Sequence, residues 1–316
     1  DVLAEDEWGD GFLPGPMAVY RHDGKIYGVP WTFGMVGIWY NKALFEQAGI
    51  KETPKTWPEF LAVVKQLKDA GITPIALGEK DKWPGHFWWS YLAVRNDGED
   101  GFMKACPRDG AFTAPPFIKA GEELQQLIDL EPFQDGYLEQ TYGDEQVVMA
   151  KEQAAMELMG QWSFGANTGV AEDNLENYVA HIDWFPFPMT DGGAGKATDA
   201  FGGGDGFAIG INAPPETIDF VKYLTSKENL SSMVEAGVAA LPVVKGIESS
   251  VKEPVMQKVL QHFSEADYLQ LYLDQFLPPA VGLAVNDHVQ ELFAGVKNAE
   301  EVAQAIEDVA QAEMSP

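Results

Sequence analysis

Nine tryptophans, ten tyrosines and eighteen phenylalanines in 316 residues give this chain an unusual stock of flat, polarisable faces. Trp162 follows an apolar run, Ala154 to Met159, and the pair Gly160–Gln161, so it is placed to project from a strand end beside the Gln161 amide. Trp83 and His86 flank the turn Pro84–Gly85 ahead of Phe87, Trp88, Trp89 and Tyr91, and so offer an indole and an imidazole together. Helical neighbours point about 100° apart, so Trp88 and Trp89 must divide between a core and a site. Trp31, Thr32 and Phe33 form a third set, and Phe201, Gly203, Gly204 and Asp205 a fourth. In that fourth set the glycines admit close backbone approach and the carboxylate accepts hydrogen bonds. Rings interleaved with such groups suit a neutral polyhydroxylated ligand, whose C–H faces stack and whose hydroxyls need donors and acceptors. Each set has a packing explanation too: a core tryptophan at 162, a local surface turn at 83–86, and a flexible joint at 202–204.

Other chemistries leave no pattern. The five histidines, His22, His86, His181, His262 and His288, lack metal-ligand spacing. There is no Gly-x-Ser-x-Gly elbow, and the glycine cluster lacks the Lys-Ser/Thr sequel of a phosphate loop. Carboxylates are abundant, but none stands in a glycosidase motif. Cys106 is the sole cysteine, which excludes an internal disulfide. No catalytic residue, metal or cofactor is expected.

A net charge of −28 argues against nucleic acid and anionic membrane surfaces as partners, and is indifferent to neutral ligands. No apolar run reaches the ~20 residues of a membrane span, and no basic-then-apolar leader opens the chain, so direct membrane insertion is not expected. The length favours two lobes.

The elements that must position these residues alternate. Residues 24–30 read as a turn into a strand, 35–39 as a strand and 42–48 as a short helix closed by Gly49. Thr56 and Glu59 form a capping box on a helix whose apolar face is Phe60, Leu61, Val63, Val64 and Leu67. After Gly71, residues 72–77 read as a buried strand. Helices are expected at 118–130 and 145–153, strands at 154–159, 182–187 and up to 211, then helices at 215–224 and 227–236. The chain from about 253 reads as almost wholly helical. Helix followed by short apolar strand is the mark of an α/β fold.

Several ordered motifs resemble the family 1 extracellular solute-binding proteins of sugar ABC transporters, the group of maltose-binding protein. They are Lys25-Ile26-Tyr27-Gly28-Val29-Pro30 with Trp39-Tyr40-Asn41-Lys42, then Pro54-Lys55-Thr56-Trp57, then Ala155-Met156-Glu157-Leu158-Met159-Gly160-Gln161-Trp162, and Gly202 to Phe207 with the helix pair ending at Leu241-Pro242. The resemblance covers essentially the whole chain. It implies the two-lobed, periplasmic-binding-protein type II α/β fold, with hinge-crossing strands and the ligand in the cleft between lobes. Mapped onto this chain, residues 1–33 are the remainder of the N-terminal lobe and the first hinge strand. Residues 34–200 are the C-terminal lobe, 201–250 a return to the N-terminal lobe, and 251–316 a helical tail on the C-terminal lobe. The family's roughly hundred residues ahead of the 24–30 strand have no counterpart, so the N-terminal lobe is incomplete: the chain is part of a longer protein, or the fold is trimmed.

The resemblance further implies reversible capture of a small carbohydrate, a di- or oligosaccharide ahead of a monosaccharide, and its delivery to ABC permease subunits. It makes Trp162 a stacking platform and sets Trp31, Thr32 and Phe33 on the crossing strand. It implies a monomer located in the periplasm or lipid-anchored at the outer face of the cell membrane. The alternatives are a glycoside hydrolase and a surface carbohydrate-adhesion module.

Overall fold

The computed structural model describes residues 8–237 and 241–314; the start of the acidic opening (1–7), residues 238–240 before Leu241, and 315–316 lie outside the described residues. The chain divides into two compact units, one of Asp1–Met35 with Gly202–Phe263 and one of Val36–Phe201 with Ser264–Pro316. It therefore passes between units after Met35, Phe201 and Phe263. The helix Pro254–Ser264, which the sequence reading gives to the tail on the C-terminal lobe, groups with the first unit because Phe263 packs its ring on Phe33 at 5.8 Å.

In the first unit, Arg21–His22 and Lys25–Ile26 form a hairpin closed by Asp23 (φ 49°) and Gly24 (φ 75°), the left-handed pair that an Asp-Gly turn supplies. Val29–Pro30 pairs antiparallel with Gly206–Phe207. The strand expected to reach Ile211 stops at Phe207, because its partner begins at Val29 and offers no further ladder; Ile211 is fully exposed. Helices Pro14–Val19, Glu216–Leu224, Lys227–Glu235 and Pro254–Ser264 complete the described part of this unit.

The second unit is built on the strands β1 (Gly34–Asn41), β2 (Thr73–Ile75), β3 (Ala154–Gly160), β4 (Ile182–Phe185), β5 (Ala200–Gly203) and β6 (Leu269–Leu271), in the order β6-β5-β1-β3-β2 with β4 also pairing β1. β1 and β3 are antiparallel, with Trp39 opposite Glu157, and β2 runs parallel to β3. Both central strands are almost wholly buried, so they read as apolar runs without alternation, broken in β3 only by Glu157. The helices of this unit are α1 (Lys42–Gln47), α2 (Trp57–Asp69), α3 (Trp83–Ala105), α4 (Pro115–Ile128), α5 (Tyr142–Ala150), α6 (Ser163–Val170), α7 (Leu175–His181), α8 (Leu273–Phe276), α9 (Pro279–Phe293) and α10 (Ala299–Met314). α2 carries the expected capping box of Thr56 and Glu59, and a second box of Thr141 and Asp144 starts α5 three residues earlier than the sequence reading placed it.

α3 is the hub. Every residue from Pro84 to Asn96 is buried, and the helix breaks at Gly98 (φ 60°). It packs against α4, α9 and β6. Arg95, 1% exposed, donates to the carbonyls of Phe187, Lys196 and Asp199, and its guanidinium lies 4.8 Å from the Tyr91 ring centroid. Those bonds tie the loop between β4 and β5 to the hub. Arg95→Met removes the charge and leaves three carbonyls short of a donor, so it should destabilise the fold by about 3 kcal/mol. Urea denaturation measures this; a loss below about 0.5 kcal/mol would show that the loop is held by other contacts.

Candidate functional site

The two units bring different sequence-predicted residues together. In the first unit, the N–H groups of Trp31 and Thr32 both donate to the Asp205 carbonyl (2.9 and 3.1 Å), and the Asp205 N–H donates to Thr32 Oγ1 at 3.1 Å. A Cβ on Gly204 would sit 1.9 Å from the Thr32 carbonyl oxygen, so only glycine allows this crossing. Trp31 packs on Phe207 at 5.6 Å and stays partly open, as does Thr32, while the Asp205 residue is exposed. Phe33 and Gly203 are buried: Phe33 packs in the core, and Gly203 pairs with Gly34 across β5 and β1.

In the second unit, the ends of β3 and α3 meet. Trp162 follows β3 and folds its ring back across Gly160, where a Cβ would lie 2.1 Å from the indole. Its Nε1–H donates to Tyr142 Oη at 2.9 Å. Trp83, the first residue of α3, sits 6.3 Å from the Trp162 ring and edge-on to Tyr142 at 4.9 Å. Tyr272, just before α8, meets Trp162 edge-on at 6.0 Å and stacks on Phe87 at 5.1 Å. Phe201, wholly buried, closes the floor against Phe87 and Tyr272. Trp83, Trp162 and Tyr142 remain partly exposed, so the rings form an open-faced box on a packed base.

Polar groups border the box. His86 is wholly buried, with the Asn286 side chain and the Trp83 backbone within hydrogen-bonding range of its ring and Asp274 Oδ1 4.0 Å from Nε2. Asp274 Oδ1 has no hydrogen-bond partner, and the Asn286 amide donates to Asp274 Oδ2 at 3.4 Å. Burial pulls the His86 pKa down to about 4 against the opposing pull of Asp274, which keeps the ring neutral and able both to donate and to accept. Gln161 is buried beside the box, its Oε1 without a partner. Trp88 stands apart: it is wholly buried between Phe60 and Phe187, with no face turned to the box.

The sequence reading missed Tyr142, Tyr272, Asp274 and Asn286. The capping box at Thr141 marks Tyr142 as a first-turn residue and could have drawn attention to it; nothing local marks the other three. Among the described residues no cluster of His, Cys, Asp or Glu could hold a metal ion, and no helix is long and apolar enough to cross a membrane.

The family model for the bacterial extracellular solute-binding protein matches residues 1–230, and the chain belongs to that family, a family of receptors and not of enzymes. A multiple sugar-binding protein of Streptococcus mutans is 28% identical over 267 residues, 80% of this chain and 59% of its own length. The chain thus spans less than two thirds of the first curated relatives it matches. Among solved structures, one from work on xylan utilization by the thermophilic bacterium Caldanaerobius polysaccharolyticus is 27% identical with a TM-score of 0.89, covering 98% of this chain and 79% of that one. A chitin oligosaccharide binding protein is 26% identical with a TM-score of 0.87, covering 98% and 77%.

The neutral His86 has a consequence for stability. Its folded pKa lies below the unfolded value of 6.5, so its contribution is complete above 6.5 and is lost as pH falls toward about 4. The stability gap between the protein and His86→Gln should narrow by about 2 kcal/mol from pH 7 to pH 5. Paired urea melts at the two pH values decide; an unchanged gap means that the histidine is not held neutral.

Proposed function

We propose that this protein is the extracytoplasmic receptor of an ABC transporter, capturing a short carbohydrate and passing it to the permease without chemical change. The observation that carries the reading is the box of Trp83, Tyr142, Trp162 and Tyr272, bordered by the neutral His86 and by Gln161 and Asp274, each with one oxygen lacking a partner. Trp162 is the stacking face, and the border meets hydroxyls. Trp31, Thr32 and Asp205 of the first unit are proposed as further ligand contacts, the last through its exposed carboxylate. Relatives whose names and descriptions mention sugars, xylan and chitin oligosaccharides support a di- or oligosaccharide. A hydrolase receives no support from the carboxylates beside the box. Glu145 and Glu157 are wholly buried and within hydrogen-bonding range of each other, whereas a retaining pair stands about 5 Å apart across an open cleft.

Calorimetric titration with xylo-, chito- and gluco-oligosaccharides of one to three units tests this directly. One short series should bind at micromolar concentration or tighter, with no sugar cleaved, and Trp162→Ala should weaken that binding at least about tenfold, or ~1.4 kcal/mol. Silence across the panel removes carbohydrate as the ligand class, and release of reducing ends during titration makes the protein an enzyme.

A further inference from the structure

Two carboxyl groups without a ligand-contacting role lie in the interior beside the aromatic box. Glu157 sits in the middle of β3 and Glu145 on α5, and both are wholly buried. Glu157 Oε1 accepts from Ser163 Oγ and from Asn167 Nδ2 (2.8 Å), both on α6. Glu145 Oε2 accepts the Gly78 N–H at 2.7 Å. The remaining oxygens, Glu157 Oε2 and Glu145 Oε1, have no other partner, and the two side chains are within hydrogen-bonding range of each other.

We propose that Glu145 and Glu157 share a single proton, and that this carboxyl–carboxylate bond is the pin that positions the aromatic face. One proton between them gives each orphaned oxygen a partner and leaves one negative charge in place of two. The bond joins the segments that carry the rings. Glu145 holds Gly78, five residues ahead of Trp83, and lies three residues after Tyr142 on the same helix. Glu157 holds Ser163, which directly follows Trp162. Trp162 closes the circuit through its bond to Tyr142.

The titratable groups facing the pair are Glu79, Tyr142 and Tyr178, with Lys82 acting on Glu79. α6 presents only Ser163 and Asn167, and β1 presents Trp39. Burial, and for Glu145 the neighbouring carboxylate as well, lift both groups: Glu157 to about 7 and Glu145 well above the ordinary range. The folded state therefore holds this proton more tightly than the unfolded chain. The single-proton pin forms as pH rises through about 7, where Glu157 gives up its proton, and is lost as pH rises further through the raised value of Glu145.

The task assigned to the pin rests on the receptor reading, so the test has arms that need no ligand. Glutamate labelled with ¹³C at the side-chain carboxyl should show a carboxyl resonance titrating above pH 7 that Glu145→Gln abolishes and Glu157→Gln moves to lower pH. The part of the near-ultraviolet circular dichroism that Trp162→Phe removes should change over the same pH range. Glu145→Gln keeps an acceptor for Gly78 and an N–H for Glu157, so the Trp162-dependent part of its circular dichroism should stay flat over that range. Xylotriose is the ligand probe: its affinity should fall about tenfold per pH unit once the proton is gone, but less than about twofold overall in Glu145→Gln. Carboxyls that all titrate in the ordinary range overturn the shared proton. A Trp162 signal that ignores the pair's ionisation, or an alkaline change that persists in Glu145→Gln, overturns the positioning role. Absence of xylotriose binding bears on the ligand class alone, and the ligand-free arms still decide.

Discussion

A helix buried on every side must satisfy each polar group it carries inside the fold, and α3 sets that constraint for the second unit. Its run from Pro84 to Asn96 meets no solvent, so its apolar side chains are matched by the aromatic faces of Phe60, Phe117, Phe187 and Phe201. Arg95 is the costly member. Removing a guanidinium from water is tolerable only when several acceptors replace it, and three loop carbonyls do so. The loop between β4 and β5 is ordered around that charge, which fixes where β5 starts and therefore where Phe201 lies. At the other end of α3 the same burial leaves His86 neutral, beside Asp274 and Gln161, each of which has an oxygen without a partner. One end of the helix is thus saturated with hydrogen bonds while the other keeps capacity in reserve, and the aromatic box stands at the unsaturated end.

The box depends on glycine as much as on rings. Trp162 can fold back only because residue 160 has no side chain, and Gly78 lies so close to Thr141 that a Cβ would meet its carbonyl oxygen at 2.4 Å. Both glycines sit where a segment leaves the sheet and turns toward a ring. Close backbone approach therefore brings Trp83, Tyr142 and Trp162 together from three separate parts of the chain.

What was legible in the sequence was local. The capping box at Thr56, the closing glycines Gly49 and Gly71 (φ 76° and 74°) and the apolar strand ahead of Trp162 are set by neighbours a few residues away. The two-unit α/β architecture was legible from helix–strand alternation together with the family motifs. Trp162 and Trp83 could be singled out as strand-end and turn residues. Tyr272 and Asp274 could not, because they start the four-residue helix α8 directly after the three-residue strand β6, and elements that short have no period to detect. Trp88 and Trp89 could be told apart from each other only by contacts, and both proved wholly buried. The strand that ends at Phe207 and the helix Pro254–Ser264 were misjudged for the same reason: each depends on a partner far away in sequence.

The acidity of the chain constrains recognition more than it first suggests. With a net charge of −28, long-range attraction cannot favour an anion, and a neutral ligand gains nothing from the field at any distance. Selectivity for a neutral molecule must then come from short-range terms: ring faces against C–H groups, and hydrogen bonds made in a partly dry setting where an unpaired group is expensive. The second unit supplies both within a few ångströms, with His86 held neutral and so adding no positive charge that would draw in anions. Discrimination among similar polyols is therefore expected to follow the border of the box, and overall affinity to follow its rings.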